Sequence, residues 1–364
     1  MESNFRKMIE KISIQNFRCF GNTTIEGFKR INLIGGLNNS GKTALLEAIL
    51  LNSSLSVQSV VLLNQLRSDA LYVKEFPEYT WDNFFLNQNK EKDIMIKIDD
   101  SNADNIIATG KYKRDPDLIL DHDPKIDIND FDNSVKLSRY GLYLIFRVDE
   151  HEFNEINVWA TSRGLTYSEN IISRKKTINF LASSSRNQPS EIANEYSIAE
   201  RNETEKPVLE ALQIIDKKFE AIRVSVVGGA HIEIKIKGGK FMPSTLFGDA
   251  INKILRIVLK IVTNKNSILL IDEIENGMHH SVQKDFWKFL FQLAIDPTFD
   301  VQIFSTSHSL EMIQAFTEVA QEFENEGAYF ELFFRKRTGE ISYNLHDFQT
   351  LEYELSHQLA LRGE

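Results

Sequence analysis

Apolar and polar positions follow three regimes along the chain. Between Lys11 and Phe17, Ile12, Ile14 and Phe17 stand among polar residues, and Gly21 and Asn22 follow, which predicts a strand ending in a turn. Ile31 to Ile34 is a second short apolar run, leading into Gly35, Gly36 and a glycine-bounded loop up to Thr43. Ala44, Leu45, Ala48 and Ile49 then recur at helical spacing, so the predicted order is strand, loop, helix.

From about residue 55 to 240 the runs are shorter and less regular. Residues 99 to 133 are rich in aspartate (Asp115, Asp117, Asp121, Asp123, Asp127, Asp130, Asp132), with Pro116 and Pro124 as breakers, and predict loops between strands. Residues 191 to 222 have helical character interrupted by Pro207, without the sustained heptads of a coiled coil. Ile232, Ile234 and Ile236 alternate with charged residues up to Gly238 and Gly239, a half-exposed strand closing in a tight turn.

The last third is the most regular. Helices are predicted over 250 to 262, 282 to 293 and 309 to 322, buried strands over 267 to 271 and 301 to 305, and an edge hairpin over 329 to 345 turning at Thr338 and Gly339. Helices alternating with short apolar strands predict a largely parallel sheet covered on both faces.

Composition narrows the class. A chain of 364 residues has room for one large or two ordinary domains. Its single cysteine, Cys19, excludes an internal disulfide and a cysteine-based zinc site. No apolar run nears the roughly 18 residues of a spanning helix, and the charged N-terminus lacks a signal-like apolar segment, so a cytoplasmic protein without a membrane partner is expected. With 42 Lys plus Arg against 52 Asp plus Glu, the net charge of −10 argues against a surface that is all nucleic-acid footprint, while leaving room for a local basic groove.

The chemistry begins at Gly36-x-x-x-x-Gly41-Lys42-Thr43, a complete P-loop pattern between a strand and a helix. Glycines let backbone N–H groups curl around phosphate oxygens at a helix N-terminus, whose partial positive charge favours an anion. Asn38, Asn39, Ser40, Gly41, Lys42, Thr43 and Ala44 are the candidate nucleotide-binding residues. Lys42 would reach the β- and γ-phosphates, and Thr43 would give its hydroxyl to Mg²⁺. A second element, the apolar run Ile268 to Ile271 ending in Asp272 and Glu273, would supply the rest. Asp272 would hold Mg²⁺ and Glu273 would deprotonate the attacking water. A third strand tip ends at His308, placed to contact the γ-phosphate.

Four blocks together resemble the ABC-type ATPases of the OLD, RecF and SMC group: Ile14 to Phe20, Gly36 to Ile49, Ile271 to His279, and Ser305 to Ser309. Within that group the pattern is most similar to stand-alone OLD-like ATPases of the AAA-15 and AAA-21 type. The resemblance covers the first fifty or so and the last hundred residues. It implies an α/β P-loop fold in which residues 1–54 and 241–364 form an ATPase head, with an antiparallel β subdomain and a mainly parallel sheet bearing helices on both faces. Residues 55–240 would be an α+β insertion.

The resemblance also implies two copies sandwiching ATP, with Ser244 and Gly248 in a segment that contacts the partner's nucleotide, and Asp249 and Asn276 near the interface. Leu246 and Ala250 stand where related sequences carry serine and glycine. Arg18 would touch the phosphates. His279, His280 and Glu275 suggest a metal cluster at first sight, but the family pattern places a loop there. The aspartate-rich run near residue 121 lacks the glycine and terminal glutamate of a calcium loop.

The function implied is an ATP-hydrolysing switch that forms a homodimer or higher oligomer and controls a separate effector, a nuclease or toxin, in defence against phage. With 56 residues after His308, the nuclease is expected on a separate chain. The alternative is a RecF-like ATP-dependent DNA-binding protein using Lys235 and Lys237, residues 174 to 176, or Arg335, Lys336 and Arg337. A nucleotide-dependent scaffold that barely hydrolyses is disfavoured by the intact Asp272 and Glu273.

Overall fold

The computed structural model describes residues 8–54, 56–67, 70–100, 105–118, 137–148, 151–171, 177–183 and 188–356. The chain opens with β1 (Ile9–Phe17), β2 (Phe20–Glu26) and β3 (Ile31–Gly35), then α1 (Lys42–Ser54), α2 (Val57–Gln65) and α3 (Ala70–Glu75). Next come β4 (Ile94–Asp100), β5 (Asn105–Leu118), β6 (Leu137–Val148), β7 (His151–Thr161), β8 (Gly164–Ile171) and β9 (Thr177–Leu181). Helices α4 (Pro189–Arg201) and α5 (Lys206–Ile215) precede β10 (Phe219–Ser225), β11 (His231–Ile236) and β12 (Phe241–Pro243). The chain continues with α6 (Asp249–Thr263), β13 (Ser267–Ile271), α7 (His280–Ile295), β14 (Gln302–Thr306), α8 (Leu310–Ala320), β15 (Gly327–Arg335), β16 (Glu340–His346) and α9 (Phe348–Ser356).

Among the described residues the strands make three sheets. One is antiparallel, ordered β2-β1-β4-β5-β6-β7-β8; a small one is ordered β10-β11-β12; the third is ordered β16-β15-β3-β14-β13-β9. In the third, β15, β3, β14, β13 and β9 run parallel and β16 closes one edge antiparallel.

All five residues of β3, β13 and β14 are buried, as strands covered on both faces require. Their side chains alternate between two cores. Ile34, Ile268, Leu270 and Phe304 pack with α1 and the antiparallel sheet. Leu33, Leu269, Ile271 and Ile303 pack with α6, α7 and α8. Helix α6 inserts Ile251, Ile254, Leu255, Val258, Ile261 and Val262, the spacing of one apolar face.

The segment from 55 to 240, expected as an insertion, contributes β4 to β8 to the sheet begun by β1 and β2, and β9 to the parallel sheet, so both sheets cross the expected boundaries. The loops predicted over 99 to 133 are corrected in part. Residues 105 to 118 form β5, hydrogen-bonded on one side to β4 and on the other to β6. Two flanking strands satisfy its backbone, a stabilisation that composition does not reveal, and Pro116 falls where the register shifts between Asp115 and Leu118. Asp121, Asp123, Asp127, Asp130 and Asp132, and the basic run 174 to 176, lie outside the described residues. Pro207 sits in the first turn of α5 rather than breaking a helix, because a first-turn N–H needs no intrahelical partner.

Candidate functional site

The sheet brings three strand ends together. Thr306 on β14 is level with Ile34 on β3, and Ser305 is level with Ile271 on β13, so the loops after all three strands open at one edge. The P-loop follows β3 directly. Gly36 has φ +126, and a Cβ there would lie 2.1 Å from the Leu332 carbonyl oxygen, so no other residue fits.

Lys42 donates from Nζ to the carbonyls of Gly36 at 2.8 Å and Leu37 at 2.7 Å. Burial pulls its pKa down to about 8, against the opposing pull of Asp272, Glu275 and Glu273. Ser40 Oγ is buried without a partner among the described residues, and Asn38 and Asn39 are exposed at the loop tip. Ala44 is buried in the first turn of α1.

Asp272 is the hub. At 5% exposure its Oδ1 accepts from Thr43 Oγ1 at 3.0 Å and from Thr306 Oγ1 at 2.7 Å, while Oδ2 accepts from Ser183 Oγ at 3.2 Å. Glu273 follows with φ +50, an uncommon backbone for a non-glycine residue. Its N–H donates to Thr306 Oγ1 at 2.8 Å, its Oε2 accepts from Asn276 Nδ2 at 2.6 Å, and its carbonyl accepts from Lys253 Nζ. Burial also pulls the Lys253 amine down to about 8, against Glu275, Glu273 and Asp272. His308 is exposed at the tip of β14, and its N–H donates to Glu275 Oε1 at 2.7 Å.

A cleft of about 1950 Å³ runs from the P-loop past Arg18, Cys19 and Asn87 to His308 and Arg335, Lys336 and Arg337. That is ample for a nucleotide. Residues 31–313 match the model of the AAA_21 family, described as "AAA domain, putative AbiEii toxin, Type IV TA system". The chain belongs to the AAA_21 family.

This AAA_21 chain is also 24% identical over 342 residues to an "ATP/GTP phosphatase" of Helicobacter pylori, covering 86% of the chain and 89% of that relative. Among solved structures, an Smc head bound to the C-terminal winged-helix domain of ScpA aligns at 14% identity with a TM-score of 0.47, over 95% of this chain and 99% of the other. An Smc head with an extended coiled coil, bound to the C-terminal domain of ScpA from Pyrococcus furiosus, aligns at 12% identity with a TM-score of 0.48, over 97% and 100%. The AAA_21 chain is a P-loop ATPase with an α/β fold.

The residues fit both groups that an AAA_21 ATPase would hold. An orphaned Ser40 hydroxyl beside Lys42 suits a phosphate oxygen, and the Thr43 hydroxyl with the Asp272 carboxylate offers the hard oxygen donors that Mg²⁺ prefers. Arg18 was expected to touch the phosphates. It lines the cleft, but its Nε pairs with Glu47 Oε2 at 2.7 Å and its two terminal nitrogens donate to the carbonyls of Asn83 and Leu63 at 2.6 and 3.2 Å. A phosphate contact would have to come from those terminal nitrogens, while Nε stays with Glu47.

Ser244 is buried just before α6, Gly248 caps that helix with φ +88, and Asp249 is its first residue. A Cβ on Gly277 would lie 3.1 Å from the Ala250 nitrogen and 3.3 Å from Asp249 Cβ. The loop carrying Asn276 and the start of α6 are therefore packed together within one chain, and Leu246 beside them is 71% exposed. His279 caps α7, its ring accepting from the Ser281 N–H, and no cluster of three metal-ligating side chains occurs among the described residues. No helix among them is long and apolar enough to cross a membrane.

Sequence reasoning did not single out Ser183, Thr306 or Lys253. Ser183 follows β9, whose pairing with β13 delivers it to Asp272. The only sequence signal is the short apolar run before it.

Proposed function

We propose that this chain is a Mg²⁺-dependent ATP-hydrolysing switch whose ATP-bound form associates with a second copy and controls a separate effector, a nuclease or toxin, in defence against phage. The observation that carries the hydrolytic part is the hydrogen-bonded set Thr43, Asp272 and Thr306, with Glu273 fixed one residue beyond. Lys42 would exchange its two loop carbonyls for phosphate oxygens, and Glu273 would take the proton of the water that attacks the γ-phosphorus as ADP leaves. When bound, Mg²⁺ would neutralise phosphate charge beside Thr43 and Asp272. His308 would face the γ-phosphate, and Ser244, Gly248, Asp249 and Asn276 would lie towards the second copy. In this reading the head is built on residues 1–54 and 241–364, and the intervening segment completes it with β9 at the edge of the parallel sheet and β4 to β8 beside β1.

Switching follows if ATP binds the associated state more tightly than the separate one. The exposed Leu246 and the packed α6 start support a contact with another chain at this edge. The family description, which names a toxin, supports the defensive setting. Light scattering of Glu273→Gln with and without ATP tests the association. A mass that doubles or rises further with ATP is expected, and an unchanged mass at saturating ATP refutes it.

A second reading, ATP-dependent DNA binding, is favoured by one feature. Arg335, Lys336 and Arg337 are exposed at the cleft rim beside the 54% exposed Phe334, and form no ion pair among the described residues. Titration with DNA at several salt concentrations decides it, because phosphate contacts impose a salt slope.

A further inference from the structure

We propose that Glu275 is a positioning residue that sets the place of His308 in the nucleotide site. The inference rests on the ATPase reading above and adds a residue to it. Three hydrogen bonds tie the turn after β13 to the tip of β14. Glu273 N–H donates to Thr306 Oγ1 at 2.8 Å, Ile274 N–H donates to the Thr306 carbonyl at 3.0 Å, and His308 N–H donates to Glu275 Oε1 at 2.7 Å. The first two hold the end of the strand. The third reaches past it, to the residue whose side chain enters the cleft.

The left-handed backbone of Glu273 turns the chain sharply after Asp272, and two residues later Glu275 points back across to β14. Its second oxygen, Oε2, is buried without a hydrogen-bond partner among the described residues. One carboxylate thus reaches back from the turn after β13 to the main chain just past the end of β14. A side chain kept only to fill space would not carry a carboxylate that spends one oxygen on the main chain of His308.

Glu275 does not have to touch nucleotide for this role. It fixes the main chain at His308, and the imidazole then projects from a held position rather than from a mobile loop.

The test compares the wild type with Glu275→Gln, Glu275→Ala, His308→Ala and the double variant Glu275→Ala/His308→Ala. Steady-state ATPase rates, affinity for a fluorescent ATP analogue, and amide hydrogen exchange at His308 without nucleotide are measured. Glu275→Ala is expected to lower kcat about 10- to 100-fold with ATP affinity held within about threefold, and Glu275→Gln, which keeps the acceptor, to recover most of the rate. The double variant should be no slower than the slower single one, since both changes remove the same contribution. Protection of the His308 amide should be lost in Glu275→Ala and kept in Glu275→Gln. Multiplying effects in the double variant, a Glu275→Gln rate as low as that of Glu275→Ala, or unchanged exchange at His308 in Glu275→Ala would each overturn the proposal. If the wild type hydrolyses no ATP, the ATPase reading fails, while the exchange measurement still decides whether Glu275 holds His308.

Discussion

The Thr43 hydroxyl donates to Asp272 Oδ1 across 3.0 Å, joining residues 229 positions apart. Helix α1 carries the donor and the end of β13 the acceptor, with β14 between β3 and β13 in the sheet. The same carboxylate also receives the hydroxyls of Thr306 and Ser183. Asp272→Asn keeps most of the hydrogen bonding and removes the charge. It should leave stability within about 1 kcal/mol and weaken the Mg²⁺-dependent part of nucleotide affinity at least about tenfold. Paired denaturation and nucleotide titrations with and without Mg²⁺ check this. Equal affinity for both proteins in Mg²⁺ would contradict it.

Arg18 and Glu47 make a buried pair, with Glu47 at 0% exposure and also bound to Arg67 at 3.0 Å. The Arg18 guanidinium lies 4.5 Å from the Phe84 ring centre, and burial lowers its pKa more than Glu47 raises it. Glu47→Ala strands a buried cation, a loss on the order of 3–5 kcal/mol. Arg18→Ala leaves Glu47 still paired with Arg67 and should cost less. Denaturant unfolding of the two variants tests the asymmetry, and a larger loss from Arg18→Ala would reverse it.

These two pairs mark where sequence and structure part. The P-loop was legible because its chemistry is local: Gly36 to Thr43 are contiguous, and the apolar runs on either side name the strand and the helix. Asp272 and Glu273 were legible because β13 is buried on both faces and so reads as a continuous apolar run. Arg18 was not. Its partner Glu47 sits among the helix formers of α1, and nothing local says that this helix is buried nearly all round, which forces a charge there to find a mate. Ser183 was hidden for the same reason, since only the pairing of β9 with β13 brings it to Asp272. The strand β5 was masked by its aspartates and proline, because backbone pairing on both sides outweighs weak strand propensity.

Lys253 gives a pH dependence. Its folded pKa is pushed down to about 8 from 10.5, chiefly by burial. Below about pH 8 both folded and unfolded chains carry the proton and the full cost of burying the charge is present. Between about pH 8 and 10.5 the unfolded chain holds more protons, so this residue's contribution to stability rises with pH. Lys253→Met should therefore gain stability relative to the wild type near pH 7 and lose that advantage by pH 10. Urea unfolding at pH 7, 8.5 and 10 measures it, and a pH-independent difference would rule it out.

Gly36 tolerates no side chain, since a Cβ would meet the Leu332 carbonyl oxygen at 2.1 Å and φ is +126. Gly36→Ala must move β15 or the loop, and is expected to lower ATP affinity at least about tenfold while leaving the two cores intact. Affinity within a factor of two of the wild type would mean that the loop does not hold the phosphates.

The most direct measurement is phosphate release from ATP by the wild type and Glu273→Gln, with binding of a fluorescent ATP analogue followed in parallel. Release should fall at least about 100-fold in the variant while binding is kept or tightened, because the glutamine cannot accept the water's proton. Equal release rates in the two proteins would contradict the role of Glu273 and, with it, the hydrolytic site built around Asp272.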